Sequence, residues 1–155
     1  MAVHIATKAG SICFGLWGLM HIILPISVFN DFRTKGLLEV LRYLSGGKKN
    51  PTASVAAPEK PSQKEFTSAL LKTFICNVGG AAIVSIAIAY KLWTEADLFL
   101  FGLELIITGF TEWTFIYFMC NQGIIDMKGE LVVNIVLWIA GAILTSIGLY
   151  LQYIG

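Results

Sequence analysis

Four separate stretches of this 155-residue chain run for about 18 or more residues with almost no charge, the length an α-helix needs to cross a bilayer. They cover residues 11–29, 67–90, 98–119 and 131–151. Composition agrees. Hydrophobic residues make up 56% of the chain and charged ones 14%, against roughly 25% charged in an average soluble domain. A chain this apolar cannot cover itself with water-compatible surface, so the expected fold class is an all-α membrane protein, one four-span domain over residues 1–155. A formal net charge of +1 gives nucleic acid no electrostatic footprint, and only 3 cysteines argue against a disulfide-stapled secreted module.

Orientation follows from lysine and arginine, which concentrate on the inner side of membrane proteins. Arg33, Lys35, Arg42, Lys48, Lys49, Lys60 and Lys64 lie between the first two spans, and Lys128 lies in the last loop. The opposite side has Lys8 and Lys91. Both termini are therefore expected outside. Tyr90 and Trp93, with Tyr150 and Tyr153, fall where an outer interfacial aromatic belt would sit. The first span is too long for a signal peptide and no small-x-small cleavage site follows Phe29, so it is expected to be retained.

The long inner loop divides in two. With Asp31 as its expected N-cap, the segment 32–44 places Leu37, Leu38, Val40, Leu41 and Leu44 on one face and Lys35, Glu39 and Arg42 on the other. This spacing predicts a short interfacial amphipathic helix, ended by Gly46 and Gly47. Residues 46–64 form an expected extended linker. From Lys48 onward it holds three of the four prolines among Ala, Ser and Lys, and has nothing to bury. Such a segment is expected to be held by another protein.

Helices in lipid associate through small residues and interhelical hydrogen bonds. In the second span Ala69, Thr73, Asn77, Ala81, Ser85 and Ala89 recur every fourth residue. In the fourth, Asn134, Trp138, Gly141, Thr145, Gly148 and Gln152 alternate steps of four and three, the spacing of a coiled-coil seam. In the first, Ser11, Gly15, Gly18, His21 and Pro25 share about a third of the circumference. The expected packing residues are Gly15, Gly18, Asn77, Ala81, Ser85, Gly141, Thr145 and Gly148.

The third span carries an acidic face instead, with Asp97, Glu104, Thr108, Thr111 and Glu112 within about 100° of arc. Gly102 and Gly109 lie opposite, which predicts neighbours on both sides and little contact with lipid. Carboxylates at this depth are costly and face protein or water. By depth, His21, Lys72, Glu112 and Asn134 form one intramembrane polar cluster near the inner surface, with Lys72 and Glu112 as the expected ion pair. Should Lys72 snorkel inward, Glu112 needs another partner. Glu104 is a second intramembrane carboxylate nearer the outer side, expected as a protonated acid bonded to a neighbour or as the ion-pair partner of another chain.

Catalytic signatures are missing. There is no H-E-x-x-H, no G-x-S-x-G and no Walker loop, and two histidines are too few for most metal chemistry. Cys13, Cys76 and Cys120 have no C-x-x-C spacing and read as small packing residues. No catalytic residue, metal site or cofactor is expected, beyond structural lipids. The leading expectation is a non-catalytic accessory subunit, partnered by other integral membrane subunits and lipid, of a larger assembly. Its favoured setting is an energy-transducing membrane of the respiratory-chain or ATP synthase type, such as the mitochondrial inner membrane. The rival is a small proton-coupled carrier or ion channel using Glu104, Glu112, Lys72 and His21. A third reading shares a haem through His21 with a membrane oxidoreductase.

Overall fold

The computed structural model describes residues 4–37, 40, 61–120 and 129–154. Among them run α1 (Ile5–Thr34), α2 (Pro61–Glu95), α3 (Leu98–Phe115) with a π-helical continuation over Ile116–Cys120, and α4 (Glu130–Ile154). Four helices are long and apolar enough to cross a membrane, and the chain reads as an integral membrane protein. α1, α2 and α4 run beyond their apolar cores, because a helix satisfies its own backbone groups wherever it runs.

Both ends of α1 show how. His4 caps its start, with Nδ1 accepting the Ala6 N–H at 3.1 Å. At the other end the N–H groups of Lys35 and Gly36 donate to the Asp31 carbonyl at 2.8 and 3.1 Å, and Gly36 takes the left-handed conformation that closes a helix. Asp31 is therefore not an N-cap. It lies inside α1, its carboxylate 2.8 Å from Lys35 Nζ, and residues 32–34 belong to α1 and not to a new helix. Leu37 and Val40 are helical and buried, while most of the expected interfacial helix lies outside the described residues. So does most of the expected linker, whose last four residues, 61–64, instead open α2 with Pro61 in the first position that tolerates it.

α2 and α3 form a hairpin with a two-residue corner. Ala96 adopts a positive φ of 51°, and the Asp97 side chain caps α3 by accepting the Leu100 N–H at 2.9 Å. α1 packs between α2 and α4, whereas α3 packs mainly on α2 and less on α4. α1 and α3 thus stand on opposite corners of the bundle.

Close approach of α1 to α4 depends on having no side chain at two positions. A Cβ on Gly148 would overlap the backbone nitrogen and Oγ1 of Thr7, and a Cβ on Gly10 would overlap Thr145. On the α2 side, a Cβ on Gly18 would come within 2.7 Å of Ile86 Cγ1 and 3.0 Å of the Ala82 carbonyl.

Apolar clusters occupy the two ends. Phe14, Ile88, Ala89, Leu92, Ala96, Phe101 and Leu149 pack at the end that holds the α2–α3 corner, and Val28, Val40 and Ile75 at the opposite one. Between them lies a polar middle layer.

Candidate functional site

Glu112 is the centre of the part of that layer nearer the C-terminal end of α1. It projects from α3 toward α1, where the Trp17 indole Nε1 donates to its Oε1 at 2.6 Å and His21 Nε2 faces the same oxygen at 3.6 Å. Trp17 and His21 are one turn apart on α1, so their rings stack, with centroids 3.9 Å apart and planes inclined by 27°. The other ring nitrogen of His21, Nδ1, is 2.9 Å from the Trp17 carbonyl oxygen. All three side chains are buried: Trp17 is 0%, His21 8% and Glu112 4% exposed.

Lys72 does not complete this cluster. It is exposed, and its Nζ lies 5.6 Å from the Phe32 ring centroid near the C-terminal end of α1, with no ion pair to Glu112. Equal depth predicts the pair, but a four-carbon stem lets the ammonium swing toward the end of the bundle, where the Phe32 ring meets it. Asn134 is half-buried, and its Oδ1 finds no hydrogen-bond partner among the described residues.

Two turns of α3 away, Glu104 is fully buried. Ser85 of α2 donates a short hydrogen bond to its Oε1, while Oε2 is buried with no partner among the described residues. Between the two carboxyl groups stands Thr108, which donates to the Glu104 carbonyl at 2.6 Å and accepts from the Trp138 indole of α4 at 2.8 Å. Glu104, Thr108 and Glu112 therefore form a buried polar row on α3, and each takes a hydrogen bond from a different helix.

The remaining sequence candidates divide by azimuth. Gly18, Gly141, Thr145 and Gly148 are buried at helix contacts, and Gly15 lies 4.0 Å, measured from its ideal Cβ, from the Ala89 methyl. The every-fourth-residue row of α2 does not stay on one face. Ser85 and Ala89 are buried and Ala81 is half-buried, but Ala69, Thr73 and Asn77 point outward. A step of four residues turns the row by about 40°, so six members sweep over half the circumference. The two-sided contact expected for α3 is present only in part: Gly109 is buried, an added Cβ lying 3.2 Å from Trp138 of α4, but Gly102 has nothing within 4 Å of an added Cβ, and Leu98, Phe99, Ile106, Phe110 and Trp113 are exposed.

Sequence reasoning missed Trp17 altogether and placed Trp138 on a packing seam without its role as a hydrogen-bond donor. Their signal is general, since a buried indole N–H seeks an acceptor, and Trp17 precedes His21 by one turn. Among the described residues no group of three or more His, Cys, Asp and Glu is placed to hold a metal ion. Compared with protein-family models, curated proteins and solved structures, this chain matches none.

Proposed function

We propose that this chain is a non-catalytic accessory subunit of a larger integral membrane complex. The observation that carries the reading is Asn77. Its amide points outward from α2 and has no hydrogen bond among the described residues. It lies 13 residues inside the start of the Lys64–Glu95 span, about 20 Å along the axis and so near mid-bilayer. An amide facing hydrocarbon is costly, and a neighbouring helix that hydrogen-bonds it removes the cost. Thr73 and Gly80 share that face within about 60°, and Gly80 has nothing within 4 Å of an added Cβ, so a partner helix can approach the backbone.

The setting belongs to the same proposal. The basic loop lies on the inner side of an energy-transducing membrane, the mitochondrial inner membrane being favoured, with both termini on the outer side. Mild-detergent extraction followed by mass measurement of the intact particle tests the reading. The expected result is a particle containing other subunits for the wild type and the lone 17.0 kDa chain for Asn77→Leu. A wild-type chain that is alone in its native membrane overturns it.

A second reading, a small proton-coupled carrier, is favoured by the buried row of Glu104, Thr108 and Glu112. The haem reading fits least, because iron would have to take His21 Nε2, which Glu112 already faces at 3.6 Å.

A further inference from the structure

We infer that Glu112 and His21 form a binding site for a single proton that ties α1 to α3 across the centre of the bundle. The argument is an accounting of donors and acceptors. A backbone carbonyl only accepts, so the 2.9 Å contact between His21 Nδ1 and the Trp17 carbonyl oxygen puts a hydrogen on Nδ1. In a neutral imidazole, Nε2 then carries a bare lone pair. That nitrogen faces Glu112 Oε1 at 3.6 Å. A carboxylate opposite a lone pair is a contact between two acceptors. One proton resolves it, held either as a carboxylic acid aimed at Nε2 or as an imidazolium N–H aimed at the carboxylate. A second proton would leave an uncompensated positive charge in a buried site.

Trp17 supports the site twice. Its N–H occupies Oε1 from one direction at 2.6 Å, and its ring covers the imidazole. An aromatic face accommodates an imidazolium as readily as a neutral ring.

The groups facing the pair from the packed helices do not supply a competing charge. On α1 they are Trp17 and His21 themselves. On α2 the cation at this level, Lys72, is turned onto Phe32. On α3 the buried titratable neighbour is Glu104, two turns off, with Thr108 between, and Tyr117 of the π-helical continuation is exposed. On α4 the side chains at this level are Asn134 and Trp138, both uncharged. Among the described residues the Glu112 contacts are also the only polar link between α1 and α3. Loss of the proton sets Nε2 and the carboxylate against each other and leaves the Trp17 bond as the remaining polar contact, so the His21 half of this link across the diagonal is proton-dependent. It lies within one chain and does not rest on the subunit reading.

Residue-resolved nuclear magnetic resonance tests it on the full chain in lipid nanodiscs, with nitrogen-labelled histidine and carboxyl-labelled glutamate, as pH is varied. The expected result is a hydrogen on His21 Nδ1 throughout, with Glu112 and His21 Nε2 reporting one shared titration midpoint. Glu112→Gln should abolish the His21 step at that midpoint and leave Nε2 bare. Trp17→Phe should keep a shared step at a displaced midpoint. Two unrelated midpoints in the wild type, or a bare Nδ1 with the hydrogen on Nε2, overturn the proposal. The wild-type measurement decides by itself if a variant does not fold.

Discussion

The Trp17 indole and the Glu112 carboxylate meet at 2.6 Å across the diagonal of the bundle, where α1 and α3 also touch through the rings of Phe14 and Phe101, 6.4 Å between centroids. Trp17→Phe keeps an aromatic ring but removes the donor and part of the indole, leaving a buried oxygen with one partner fewer and a small void. The expected loss is about 2 kcal/mol or more, read from unfolding in mixed detergent micelles. Glu112→Gln retains an oxygen that can accept the indole and should cost less than Glu112→Ala. Wild-type stability in Trp17→Phe would mean that the bond contributes nothing.

The contact of α1 with α4 gives a sharper contrast between two glycines. Gly148→Ala forces a methyl into the backbone of Thr7, where only helix separation can make room. We expect a loss of about 3 kcal/mol or more from this overpacking. Gly102→Ala meets nothing within 4 Å, and by removing a helix-interior glycine it should leave stability unchanged or raise it by up to about 1 kcal/mol. Thermal denaturation of the two variants in the same detergent separates the cases, and similar behaviour would contradict the placement of α1 on α4.

Lys72→Met should be nearly silent. Its ammonium is exposed and rests on an aromatic ring, an arrangement that contributes about 0.5 to 1 kcal/mol. Combined with Glu112→Gln, the two losses should add, because the groups share no contact. A coupling energy above about 1 kcal/mol in that double-mutant cycle would restore the ion pair that depth alone had predicted.

These cases mark what a sequence of this kind carries. Hydropathy locates the crossings, since bilayer thickness fixes the number of apolar residues needed. It misplaces the ends, because Lys8 and Glu95 are polar yet helical. Depth along each helix is also legible at about 1.5 Å per residue, and it put His21 and Glu112 on one level. Azimuth is not legible to the same degree. Lys72 shares the depth but not the direction, and the α2 row that looked like a straight ridge turns out of the bundle below Ala81. Trp17 and Glu112 meet across a diagonal, a relation that depends on which helices are neighbours and that no single helix encodes.

Glu104 distinguishes a scaffold from a carrier. Ser85 supplies one hydrogen bond to its carboxyl group, and the second oxygen is buried with no partner among the described residues. Ser85→Ala removes that donor and should cost about 1 to 3 kcal/mol through the unsatisfied oxygen. Glu104→Gln keeps an oxygen for Ser85, preserves the shape and removes the titratable proton. An accessory subunit should tolerate it, with stability within about 1 kcal/mol of wild type and the native particle still assembled. A carrier would not, since every transport cycle through this face needs a group that gains and loses a proton. In liposomes containing only this protein, a pH gradient should drive no flux through wild type or variant. Robust flux that disappears in Glu104→Gln would instead make the row of Glu104, Thr108 and Glu112 a proton path.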